Sequence, residues 1–166
     1  MSSESAAPGG GTPPPLGDLL LAAYLSTEVV DDTGRVWSGA VADVDIADPT
    51  WVITAENPFS RRQDPAANAA AMASLASVIR ADGLSPVELR GRAPDESWSE
   101  DCLAVVGPAV DRVCAWGRAY AQHAVFLLTP STHAVLSCWT EQEVARRPRR
   151  TLGSQGSTSS GGPEPA

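Results

Sequence analysis

The chain has 166 residues, 43% of them apolar, and a net charge of −8 in which all 12 basic residues are arginine. That is enough for one domain with a buried core and flanking tails. Residues 18 to 145 hold every acidic residue except Glu4 and Glu164 and lack the run Arg146, Arg147, Arg149 and Arg150, so they carry about −10; such a surface repels phosphate backbones, and nucleic acid is not expected to bind the folded part.

No stretch approaches the roughly 18 apolar residues of a membrane helix. The start "MSSESAAPGGGTPPPLGD" has neither the basic beginning nor the apolar centre of a secretory leader. Cys102, Cys114 and Cys138 fit neither a disulfide framework nor a zinc ribbon, so the expectation is three reduced thiols in a cytoplasmic protein.

Residues 1 to 15 are mainly Gly, Pro, Ser and Ala and read as a disordered tail. A helical turn over Leu16 to Ala22 then leads into a strand from Tyr24 to Val30. After an Asp- and Gly-rich loop, "GRVWSGAVADVDI" offers a short extra strand, and "WVITA" at 51 to 55 the next. Asp64 and Pro65 form an N-cap and first helical position, and the helix they begin stops at Gly83. "PVELRGR" and "SWSEDCLAVVG" read as two strands. Pro108 opens a second helix, "AVDRVCAWGRAYAQ", in which Gly117 permits a close approach to the sheet. "HAVFLLT" and "STHAVLSCW" pair as a hairpin about Pro130 and Ser131. Residues 146 to 166, "RRPRRTLGSQGSTSSGGPEPA", read as a second disordered tail.

Paired strands separated by single helices predict one α+β domain over residues 16 to 145: a two-layer sandwich with a mostly antiparallel sheet of five to six strands and two main helices on one face.

Polar residues gather where "WVITA" ends, in "ENPFSRRQ". Asn68 lies on the apolar stripe of the first long helix, four residues before Met72 and in line with Leu75 and Ile79. A buried amide needs partners, since leaving one unmade costs about 1–3 kcal/mol. Those partners are the turn at Asn57 and Pro58 or a ligand. The helix start, with Arg61 and Arg62 before it and Ser60 beside them, suits a polar or anionic group. The plainer alternative is that Asn57 and Asn68 pin the loop and the arginines are solvated. Trp98 and Glu100 share one face of a strand, where an indole beside a carboxyl raises its pKa and equips it as a general base; a wet edge strand is the alternative. Gln122 sits where the second helix hands over to a strand and either satisfies backbone groups or reaches a ligand.

The hairpin places His123 opposite Cys138 and His133 opposite Leu128. No further Cys or His stands at ligand spacing, so neither a metal nor a cofactor is expected. No P-loop, HExxH, EF-hand or glycine-flanked serine appears. "RRPRRTL" reads as a solvated tail, a docking patch for a protein partner, or a phosphorylation site at Thr151.

"ITAENPFS", Asn68, "SWSED" and "AYAQHAVF", in this order, resemble the bacterial domain-of-unknown-function 3293 family over roughly residues 20 to 137. The family pattern has an aromatic where this chain has Glu56. Its elements carry over to Asn57, Pro58, Asn68, Trp98, Glu100 and Gln122. The resemblance implies no particular activity; it implies that these polar positions belong to one pattern. Two functions are therefore expected. One is a binding or catalytic site for a small polar or anionic ligand, formed by Asn57, Ser60, Arg61, Arg62, Asn68, Trp98 and Gln122 with Glu100 as acid or base. The other is a non-catalytic regulatory or protein-interaction domain that uses the arginine tail.

Overall fold

A computed structural model describes residues 13–154; the expected tail residues 1–12 and 155–166 lie outside the described residues. The elements in chain order are α1 (Asp18–Ser26), β1 (Glu28–Val30), β2 (Val36–Ser38), β3 (Thr50–Ile53), a 3-10 turn (Pro58–Ser60), α2 (Pro65–Ala81), β4 (Val87–Arg92), β5 (Ser99–Val106), α3 (Val110–Ala119), β6 (Ala124–Leu128), β7 (Thr132–Ser137), β8 (Glu143–Pro148) and a final 3-10 turn (Leu152–Ser154). The strands form one antiparallel sheet in the order β2-β1-β4-β5-β3-β6-β7-β8.

The α+β class stands, but among the described residues the sheet has eight strands curled into a half-barrel, not five to six in a two-layer sandwich. Curling gives the sheet two unequal faces, and period-two alternation assigns residues to each. Trp51, Ile53, Leu103, Val105, Val125 and Leu136 meet Leu75 and Ile79 of α2 and Val113, Cys114 and Trp116 of α3 in the larger core. Val29, Val52, Leu89, Cys102, Ala104 and Leu128 form a second cluster on the concave face.

The first expected strand is corrected at its start. Tyr24, Leu25 and Ser26 continue α1, and the strand begins at Glu28. Thr27 ends the helix by donating its hydroxyl to Ala23 O at 2.9 Å. α1 covers the concave face, with the Tyr24 ring set edge-on to Phe126 at 6.0 Å.

β8 is the strand that sequence reasoning missed, and the expected domain boundary at residue 145 falls inside it. Glu-Val-Ala-Arg-Arg-Pro has little apolar content because an edge strand faces solvent; charge and proline there also discourage pairing with other chains. Arg147 and Arg149 draw the two edges of the curled sheet together. Arg147 donates to Leu25 O at 2.6 Å, Thr27 O and Gly39 O at 3.2 Å, Ser38 Oγ at 3.0 Å and His133 Nδ1 at 3.0 Å. Arg149 donates to Trp37 O at 2.8 Å, to Pro130 O at 3.2 Å and to Val44 O. Backbone continues the closure, as Ala42 N–H donates to Arg150 O at 2.7 Å.

The helices and the hairpin follow local rules. Asp64 and Pro65 stand at the start of α2, although the Asp64 side chain makes no capping bond. Gly83, at φ +80°, leaves the helix where a side chain would be strained. β6 and β7 pair in the expected register, with Leu128 opposite His133 and Cys138 N–H donating to His123 O at 3.0 Å. Gly117 lets α3 touch the hairpin: a Cβ there would collide with Cys138 Sγ. The three cysteines are free and buried.

Candidate functional site

β3 ends at Ile53, and the chain enters a loop with an unusual backbone. Asn57, Phe59 and Ser60 all have positive φ, at 48°, 50° and 60°. Asn tolerates that region; Phe and Ser each pay about 1–2 kcal/mol, so the loop must be held from outside. Phe59 N–H donates to Ala121 O at 2.7 Å, and its ring lies 5.2 Å from that of His123. Gln122 Nε2 donates to Glu56 O at 2.9 Å and to Tyr120 O at 3.2 Å. The chain after α3 is thus tied to the loop after β3.

Asn57 is the hub. Its backbone N–H donates to Asn68 Oδ1 at 2.9 Å, and Asn68 Nδ2 donates back to Asn57 Oδ1 at 3.0 Å. Gln63 N–H also donates to Asn57 Oδ1, at 3.0 Å. Asn57 Nδ2 donates to Glu100 Oε1 at 2.9 Å. Asn68 meets its need for partners inside the protein, through the Asn57 turn.

These groups open onto a cavity of about 660 Å³ on the concave face of the half-barrel, within the range of small-molecule sites. Of the residues singled out in the sequence, Asn57, Ser60, Arg62, Asn68, Trp98, Glu100 and Gln122 line it; Arg61 does not. Trp98 and Glu100 reach it together through the two-residue repeat of the chain entering β5.

The structure adds a wall that sequence reasoning missed. Leu20, Ala23, Tyr24 and Thr27 line the same cavity from α1 and its end. They stand at i, i+3, i+4 and i+7, the spacing of one helical face, and that spacing was the available signal. Tyr24 Oη and Ser60 Oγ lie 3.1 Å apart. Val52, Glu56 and Phe126 also line the cavity.

Burial sets the electrostatics. It pushes the Glu100 carboxyl above the ordinary 4.5, against the opposing Asn57 hydrogen bond. Glu56 is raised by burial first and by the charge of Asp101 next. The Tyr24 phenol is pushed up to about 12 by burial. Glu100 can therefore exchange a proton nearer neutrality than a surface carboxylate. Among the described residues no group of three or more His, Cys, Asp and Glu is placed to hold a metal, and no helix is long and apolar enough to cross a membrane.

A family model described as "Protein of unknown function (DUF3293)" matches residues 53–125. The chain resembles that family. The matched span begins at the last residue of β3 and ends within β6, and it contains all the lining residues named from sequence. Tyr24 and the arginines of β8 fall outside it. No curated protein and no solved structure matches the chain.

Proposed function

We propose that the concave cavity binds a small molecule with a polar end, and that Glu100 is the group that exchanges a proton with it. The observation that carries this reading is convergence. Glu100 from β5, Asn57 from the loop after β3, Tyr24 from α1 and Phe126 from β6 meet around one hollow of about 660 Å³. Asn57, Asn68 and Gln122 act as positioning residues, because their hydrogen bonds hold the loop and the Glu100 carboxyl. An anionic ligand, the other half of the expectation, has less support. Arg62 is the one arginine in the lining, Arg61 is outside it, and Glu56 and Glu100 face the same space.

The test is a two-dimensional NMR titration of the full chain with small amines, alcohols and carboxylates. Binding at this site shifts the Trp98 indole N–H and the amides of Glu100 and Phe126 together. Fragments that bind while shifting only residues elsewhere would overturn the reading.

The rival, a protein-interaction domain working through its arginine tail, retains Arg146 and Arg150 as exposed residues, while two of its four arginines are drawn into the fold. Arg147 and Arg149 are spent within the fold, and Arg146 pairs with Glu143 at 2.7 Å. Removing residues 146 to 166 would delete part of β8 as well as a tail, so a partner of the tail is sought by removing residues 155 to 166 alone.

A further inference from the structure

The hydrogen-bond inventory of the cavity points to the class of ligand, an inference that rests on the small-molecule reading above. The side-chain amides facing the hollow each spend at least one donor inside the protein, while the Arg62 guanidinium and the Trp98 indole N–H have no hydrogen-bond partner among the described residues. Asn57 Nδ2 is given to Glu100, Asn68 Nδ2 to Asn57 Oδ1, and Gln122 Nε2 to two backbone carbonyls. The Tyr24 and Ser60 hydroxyls are engaged with each other.

Acceptors are left over. Glu100 accepts through Oε1, and Oε2 has no donor among the described residues. Gln122 Oε1 has none there either. Glu56 brings a second carboxylate. Neither glutamate forms an ion pair among the described residues; Arg90, whose charge acts on Glu56, pairs with Asp101 at 3.2 Å.

Two half-buried carboxylates, Glu56 and Glu100, stand against a single arginine in the lining, Arg62, and the natural complement of the excess carboxylate is a positively charged donor. The remaining walls suit the same partner. Tyr24, Trp98 and Phe126 present aromatic rings, whose faces attract cations, while Leu20 and Val52 offer apolar surface to a hydrocarbon stem.

We propose that the cavity takes a small organic cation, a primary ammonium on an aliphatic or aromatic stem, with the ammonium at Glu100 and the stem along Phe126. The α1 wall then sets how long a stem fits.

The experiment is isothermal titration calorimetry of the full chain with 2-phenylethylamine, its neutral analogue 2-phenylethanol and its anionic analogue phenylacetate. The amine is expected to bind at least about tenfold more tightly than either analogue, a difference of about 1.4 kcal/mol. Glu100→Gln, which keeps the shape and the acceptor for Asn57, is expected to remove that preference, bringing amine affinity down to that of the alcohol. Wild-type protein supplies a check independent of the variant. Amine affinity should rise as pH rises through the Glu100 titration, because the carboxylate is the binding form, and alcohol affinity should stay flat. Equal binding of all three probes, or a preference for the amine that survives Glu100→Gln, overturns the cation assignment while leaving a ligand cavity in place. No binding by any probe overturns both.

Discussion

Asn57 and Asn68 hydrogen-bond each other in both directions, backbone to side chain at 2.9 Å and side chain to side chain at 3.0 Å. This clamp joins the loop after β3 to the first turn of α2 and aims the Asn57 amide at Glu100. Asn68→Ala leaves the Asn57 N–H without its partner and removes one donor from its Oδ1. Loss of about 1–3 kcal/mol of stability is expected, read as a lower urea midpoint with an unchanged slope. Asn68→Asp keeps an acceptor for Asn57 N–H and should recover part of the loss. Equal stability of wild type and Asn68→Ala would mean that the loop is held by Phe59 and Gln122 alone.

Arg147 and Arg146 are neighbours on β8 with opposite consequences. Arg147 donates to carbonyls of α1, Thr27 and Gly39, and to His133. Arg146 pairs at the surface with Glu143. Arg147→Ala strands several neutral acceptors at once, and a cost of about 1–3 kcal/mol is expected. Arg146→Ala should cost under about 1 kcal/mol. Chemical denaturation of the two variants side by side decides it; similar costs would contradict the closure of the half-barrel by Arg147.

Gly117→Ala would put a methyl group inside contact distance of Cys138 Sγ. Alanine favours the helix by about 1 kcal/mol, but overpacking typically costs about 1–3 kcal/mol, so destabilisation is expected. Cys138→Ala removes the obstructing sulfur. The double variant should therefore be more stable than the sum of the single changes allows, and a double-mutant cycle measures that coupling. Strict additivity would show that the helix and hairpin move apart instead.

The Glu100 carboxyl has a pKa above its ordinary 4.5, so the folded state favours the protonated form. Below the unfolded value, wild type and Glu100→Gln both carry a neutral group, and their stabilities should lie close together. As pH rises through the folded pKa, wild type must ionise a buried carboxyl and loses the stability that its neutral form had. Glu100→Gln is therefore expected to be the more stable of the two at pH 7, with the gap closing toward pH 4. Thermal melts across that range check the sign. Glu56 is also raised and titrates in the same direction, so the difference between the two proteins, not the slope of either, reports on Glu100.

Much of this molecule was legible from local pattern. Asp64-Pro65 and Gly83 bracket α2 because helix ends obey short-range rules of backbone geometry. The Pro130-Ser131 turn set the pairing of Leu128 with His133 because a two-residue loop leaves only one register. Asn68 on the stripe of Leu75 and Ile79 announced a buried amide, and Trp98 and Glu100 announced a shared face. Tertiary structure alone decided the rest. Tyr24 reads as the start of a strand, and only the face of the sheet that it covers makes it part of α1. Arg147 and Arg149 look like a solvated tail, because the carbonyls that hold them belong to residues about a hundred positions away. The curl of the sheet gathers those carbonyls, and the same curl turns a row of polar positions into a cavity. Periodicity records which way a side chain points along its own element; it carries no information on how far a sheet bends, and that bend shapes the cavity.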